Sequence, residues 1–179
     1  GINITPPLSG TFDFSQIPVF FTDNINLYYG SSHVKNGTGA IGGSVNLFTD
    51  TDWNRGVNGR VLAEYGSYNT YTVGGQANIS GNKSASKTRL YYQHSDNDYT
   101  YLNKVLTNTP FREKRQDAAY SQFGIMQEGY FRVSPYTRLT AVAWYQKNHR
   151  NLPQPLGVVN RSQEDQEENN FRGHAGLDF

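Results

Sequence analysis

From Gly56 onward, apolar and polar residues alternate with a period of two. Val57, Gly59, Val61, Ala63 and Tyr65 share one face of a predicted strand, with Asn58, Arg60, Leu62 and Glu64 on the other. After Gly66-Ser67-Tyr68-Asn69, a tight turn, the pattern resumes. Tyr71, Val73, Gly75, Ala77 and Ile79 face one way, and Thr72, Gly74, Gln76, Asn78 and Ser80 the other. A third strand is predicted over 88–94 and a fourth over 120–133, with Phe123, Ile125 and Phe131 on its apolar face. The fifth, over 138–147, carries Leu139, Ala141, Ala143 and Tyr145 on one side and Val142 and Trp144 on the other, so the pattern leaves its orientation open. The sixth sets Phe171, Gly173, Ala175, Leu177 and Phe179 against Arg172, His174 and Asp178. Runs of about 9–11 alternating residues are long enough for a tilted strand to cross a bilayer. On that reading a lysine at Val73 costs more than one at Gln76.

The connections sort by length. Short turns are predicted at 66–69, 81–84 and 134–137, and long polar segments at 96–118 and 149–170. If the first strand rises from the inner side of a membrane, both long segments fall outside, as in transmembrane barrels. Residues 1–53 are different. Thr5-Pro6-Pro7-Leu8-Ser9-Gly10 is loop chemistry, and only Ile25–Tyr29 and Val45–Phe48 read as short strands. The polar joint at Asp50-Thr51-Asp52 and Asn54 divides the chain into 1–53 and 54–179.

Composition narrows the choice. A net charge of +1 leaves no electrostatic footprint for nucleic acid. Mean hydropathy is −0.69 and no run of 18 apolar residues occurs, so no transmembrane helix is predicted. No signal peptide opens the chain, and Phe179 falls inside a strand-like run, so the chain reads as part of a longer protein. The absence of Cys excludes a disulfide scaffold and a Cys-based metal site. Low hydropathy with 13 Tyr and 10 Phe fits either a soluble all-β domain or a barrel whose faces meet lipid and lumen.

Several motifs carry candidate chemistry. Gly37-Thr38-Gly39-Ala40-Ile41-Gly42 satisfies G-x-G-x-x-G, but pyrophosphate binding needs a helix to open there. Ser44-Val45-Asn46-Leu47-Phe48 reads as a strand instead, so the glycines suit tight backbone packing. His94, Asp96 and Asp98 are a metal set by residue type, and a solvated strand end by position. The acidic run at 164–168 reads as a solvated loop, and the basic run at 111–115 as a solvated cluster or an anion contact. Tyr65, Tyr68, Tyr71, Tyr91, Tyr92, Tyr99 and Tyr101 gather at strand ends, where amphipathic rings suit a membrane interface or stacking on a ligand. No Ser/His/Asp or paired-carboxylate set has the spacing for catalysis, so an enzyme is not expected and no cofactor is expected.

Three blocks carry a family resemblance. Asp13-Phe14-Ser15-Gln16-Ile17-Pro18, then Ile25-Asn26-Leu27-Tyr28-Tyr29-Gly30, then 37–47 resemble, in order and spacing, the late plug of TonB-dependent outer-membrane receptors. In that family the blocks run roughly D-L-S-Q-I-P, I-E-V-L-R-G and Y-G-S-G-A-I-G-G-V-I-N-I. Asn26 and Tyr29 stand where the family has Glu and Arg, so its plug-to-wall ion pairs are not carried over there. Val34-Lys35-Asn36 also departs from the pattern.

The resemblance implies an all-β fold: a fragment of a transmembrane antiparallel β-barrel, with the C-terminal part of a plug in 1–53 and the first six or so strands in 54–179. It implies a bacterial outer-membrane location and energised import of a ferric siderophore or a cobalamin-like corrinoid. The implied partners are that small ligand, outer-membrane lipid, and TonB through a segment not in this chain. By position, Thr5, Leu8, Ser9 and Phe12 are expected at the plug apex against ligand, with Tyr99, Tyr101, Arg112 and Arg115 as loop contacts. The alternative is a passive barrel or a surface adhesin.

Overall fold

The computed structural model describes residues 17–29, 43–105, 109–155 and 164–179. Among the described residues the fold is all-β, with antiparallel sheets only, and no sheet closes on itself. Strands β1 (Asn24–Tyr29) and β2 (Gly43–Phe48) form a hairpin, and the chain enters it through a 3-10 turn at Val19–Phe21. The main sheet has six strands: β3 (Gly56–Gly66), β4 (Thr70–Ser80), β5 (Ser84–Ser95), β8 (Tyr120–Arg132), β9 (Arg138–Leu152) and β10 (Glu164–Asp178). Each pairs with the next, in an open meander. β6 (Thr100–Asn103) and β7 (Phe111–Lys114) make a separate ribbon within the first long connection.

The alternation of the sequence becomes two unlike faces. On the outward face Val57, Val61 and Ile79 are 77%, 85% and 60% exposed, and Val73 and Leu177 are exposed beside them. The inward face buries Arg89 and Glu128 completely. The fifth strand is oriented by Trp144, which is buried on the inward face with Val142 packed nearby, so Leu139, Ala141, Ala143 and Tyr145 lie outward.

The outward face is bounded by a row of aromatics, one from every strand. Tyr65 is directly opposite Tyr71, Tyr92 opposite Phe123, and Tyr145 opposite Phe171. Between these pairs the row drops by two residues: Tyr92 is opposite Val73 rather than Tyr71, and Tyr145 opposite Ile125 rather than Phe123. Tyr71 and Tyr92 touch diagonally at 5.9 Å between ring centroids, and Phe123 and Tyr145 at 6.4 Å. A drop of four residues over the five steps between strands, at about 3.4 Å per residue and about 4.8 Å between strands, tilts the row about 30° from the hydrogen-bond direction.

On the side of this row nearer the long connections the outward positions become polar, with Lys147 paired to Glu167 at 2.9 Å and His149 to Asp165 at 3.4 Å. On the other side they are mostly apolar or small. The exceptions satisfy one another: Thr88 Oγ1 donates to Gln127 Oε1 at 2.6 Å, and Gln127 Nε2 donates to Ser86 Oγ at 2.9 Å.

Three expectations change. The third strand starts at Ser84, not at 88. The first long segment holds the β6–β7 ribbon. The acidic run at 164–168 is not a loop but the start of β10, because Lys147, His149 and Arg150 on β9 offer it cross-strand partners.

Candidate functional site

The inward face holds a seat for the segment 17–29. Pro18 fixes the entry to the 3-10 turn, and the turn points two adjacent aromatics at the sheet. Phe21 is fully buried and meets Tyr91 and Trp144 edge-on at 6.2 and 6.0 Å. Its ring reaches the sheet only because position 124 is glycine: a Cβ there would lie 2.8 Å from the ring. Phe20 sits over Gly74 in the same way, where a Cβ would come within 3.1 Å, and Arg60 covers its ring at 4.7 Å. Ile17, Met126 and Leu47 complete the apolar part.

Next to this clasp is a charge network joining the entering segment to the sheet. Asp23 Oδ2 accepts from Arg89 Nη2 at 2.6 Å, from Lys87 Nζ at 3.0 Å and from the Asp50 backbone N–H at 2.9 Å. Arg89 Nη1 donates to Glu128 Oε2 at 2.9 Å and to the Phe21 carbonyl at 2.9 Å, and its Nε donates to Gln76 at 3.0 Å. The Tyr130 hydroxyl donates to Glu128 Oε1 at 2.9 Å, and Lys87 also bonds the Asp50 carbonyl. Two cations, Lys87 and Arg89, thus face two carboxylates, Asp23 and Glu128, and the charges cancel.

A buried pair of this kind is tolerated only when its remaining lone pairs and protons are satisfied, as they are here. Burial alone would raise the carboxyl pKa of Asp23. The Asp50 N–H, Lys87 and Arg89 outweigh it and hold the group below the ordinary carboxylate value. The contact is therefore formed above that range and lost as pH falls through the lowered value.

In the first long connection, β6 and β7 carry Tyr101 and Arg112, and Tyr99 and Arg115 flank them. Tyr99 and Tyr101 meet edge-on at 6.3 Å, and the Arg115 N–H donates to the Tyr99 carbonyl at 2.9 Å. Arg115 Nη2 donates to the Gln154 carbonyl at 3.0 Å. Arg112 is opposite Leu102 in the ribbon, on the face away from the Tyr101–Glu113 pair, so the structure unites Tyr99, Tyr101 and Arg115 but not Arg112. Thr5, Leu8, Ser9 and Phe12 lie outside the described residues, as does the glycine run 37–42.

The strand β2 follows that run directly, so the helix a pyrophosphate site requires does not open at Gly43. His94 is bonded to Asp96 at 3.1 Å while Asp98 pairs with Lys114, and among the described residues no group of three His, Cys, Asp or Glu is placed to hold a metal.

Sequence reasoning missed Asp23, Lys87, Arg89 and Glu128. A signal was present: Lys87 and Arg89 occupy alternate positions in mid-strand, where a solvated charge is unexpected if the neighbouring face is apolar. Compared with known proteins, the chain matches no family model and no curated sequence.

Proposed function

We propose that the six-stranded sheet is part of the wall of a bacterial outer-membrane β-barrel and that the segment ending near residue 53 belongs to a plug held in its lumen. The protein, on this reading, imports a scarce ligand, a ferric siderophore or a cobalamin-like corrinoid, with energy delivered through TonB. The observation that carries the barrel reading is the inverted sheet: apolar residues exposed outward, buried charge inward, and an aromatic boundary tilted by about 30°, just below the roughly 35–45° tilt of transmembrane strands. Strand lengths of 11 to 15 residues meet the span requirement with polar ends to spare.

The clasp and charge network support the plug reading, since they fix a separate segment against the inward face through both apolar and ionic contacts. Transport itself rests on the resemblance of the plug blocks. The test is uptake by cells carrying the intact protein, with ferric chelates and cobalamin supplied separately and TonB present or deleted. Accumulation of one ligand that stops without TonB is the expected result. Accumulation indifferent to TonB would replace the proposal with a passive barrel, and a folded surface protein that accumulates neither ligand would leave an adhesin.

A further inference from the structure

Halfway along the apolar part of the outward face, three neighbouring side chains are polar: Ser86 and Thr88 on β5 and Gln127 on β8. Their depth follows from the strands that carry them. Gln127 is midway between Phe123 and Phe131, both exposed outward, and Thr88 is its direct cross-strand neighbour. Thr88 is four residues from Tyr92 in the aromatic row, about 13 Å along the strand, or about half the height of an apolar band of about 25 Å. The polar trio therefore sits where a wall in contact with lipid has most reason to be apolar.

The three groups bond one another, but not completely. Thr88 Oγ1 donates to Gln127 Oε1 at 2.6 Å, and Gln127 Nε2 donates to Ser86 Oγ at 2.9 Å and to the Glu128 carbonyl at 3.1 Å. Both amide protons are then engaged. The Ser86 hydroxyl proton has no acceptor among the described residues, and Gln127 Oε1 keeps a second lone pair. Lipid tails offer neither donor nor acceptor. At this depth a spare proton beside a spare lone pair favours contact with protein over contact with lipid.

The surroundings select the partner. Ala77 is opposite Thr88 and Gly129 opposite Ser86, so another backbone can come close, with Ile79 as the bulky neighbour on the short-turn side. Between the aromatic row and the short turns, no described outward position carries an ionisable group, so a charged partner finds no counter-ion there. The spare groups complement themselves. Gln127 bonds Ser86, so its carbonyl oxygen and the Ser86 hydroxyl lie side by side at one depth. A two-fold axis along the membrane normal keeps every residue at its own depth, and it turns the donor of each copy toward the acceptor of the other. We propose that this patch is the contact through which two copies of the chain pair within the membrane. Two convex walls touch along a narrow strip, here β4, β5 and β8, so the outward side chains of β9 and β10 keep their lipid. The proposal rests on the barrel-wall reading, which puts this face inside a membrane, and not on transport.

The experiment uses the intact protein carrying one of two dyes at Tyr136→Cys, in the exposed turn after β8. Both labelled forms are reconstituted together into phosphatidylethanolamine–phosphatidylglycerol vesicles, and energy transfer between them is followed as lipid is added. Transfer should persist over at least a tenfold dilution in lipid. Gln127→Leu, which removes the shared acceptor, should weaken pairing at least fivefold. Ala77→Phe, which leaves the trio in place and only adds bulk at the contact, should weaken it as much and decides the matter if Gln127→Leu does not fold. Ala175→Phe on β10 should leave pairing unchanged. Transfer that vanishes on dilution, or that Gln127→Leu and Ala77→Phe both leave unaltered, overturns the proposal and leaves the wall reading standing. Copurification of a different membrane protein that is lost in Gln127→Leu gives the patch another occupant and overturns it as well. A protein that stays dispersed without detergent or lipid overturns both the pairing and the wall reading.

Discussion

The two faces of one sheet obey opposite rules. Inward, Arg89 and Glu128 are wholly buried yet fully partnered, and glycines at 74 and 124 make room for Phe20 and Phe21. Outward, valine, isoleucine and leucine side chains stand exposed from strand to strand, and the few polar groups bond one another. In a water-soluble sheet the hydrophobic effect would send the first set out and the second in. The inversion is what a sheet requires when the medium outside it is hydrocarbon and the face inside carries a second, polar partner. The same alternation serves either case, and only the partner of each face decides which solvent it meets.

The largest effect should come from breaking the inward network. Arg89→Met leaves Glu128 buried without its cation and should destabilise the intact protein by about 3–5 kcal/mol, read as a fall in the denaturation midpoint in micelles. Adding Glu128→Met should restore most of the loss, because Asp23 and Lys87 remain paired. If the double variant is no better than the single one, the network is not the unit described.

The outward face is tested by charge. Ala141→Lys, two outward positions from Tyr145 on the apolar side, should cost about 2–4 kcal/mol, and Val73→Lys, next to the aromatic row, less. The inward Asn170→Lys should cost well below either, since Glu168 lies within reach of its amide at 2.7 Å. Gln76 is a poorer control than its pattern suggests, because it accepts from both Arg89 and Arg60, and a lysine there would meet two cations. Equal costs on both faces would remove the distinction between them.

A smaller effect belongs to the clasp. Gly124→Ala should cost about 1–3 kcal/mol by overpacking Phe21, and Gly74→Ala less, since its nearest ring atom is farther away. Phe21→Leu combined with Gly124→Ala should recover part of the loss, measured by protease protection of the segment 17–29. The smallest change is at the turn Ser67–Thr70, where Tyr68→Gly relieves a positive φ of 58° and should be neutral or stabilising by up to about 1 kcal/mol, read from the denaturation midpoint in micelles.

Much of the sheet was legible because period-two alternation reports both strand and face. The six main strands and the short turns follow from it, as does the outward orientation of Phe123, Ile125 and Leu177. The fifth strand was ambiguous because Trp144 and Val142 are as apolar as their neighbours. Only Phe21, arriving from more than a hundred residues earlier in the chain, shows which side needs them.

The ion network was illegible for a related reason. Asp23 lies just before β1 and its partners lie on β5, with Glu128 joined through Arg89. No local window contains that pairing. Tyr68 was read as one more strand-end tyrosine, because its strain and its contact with Tyr99 exist only once the turn is closed.

The central claim, that the outward face meets lipid, is tested most directly by a spin-label scan along 138–152 of the intact protein in bilayers, with oxygen and a polar nickel chelate as competing relaxers. The account predicts period-two behaviour: labels at Leu139, Ala141, Ala143 and Tyr145 are relaxed by oxygen and shielded from nickel, while those at Lys147 and His149 become open to nickel beyond the aromatic row. Labels at positions 139–145 equally open to the nickel chelate would contradict it.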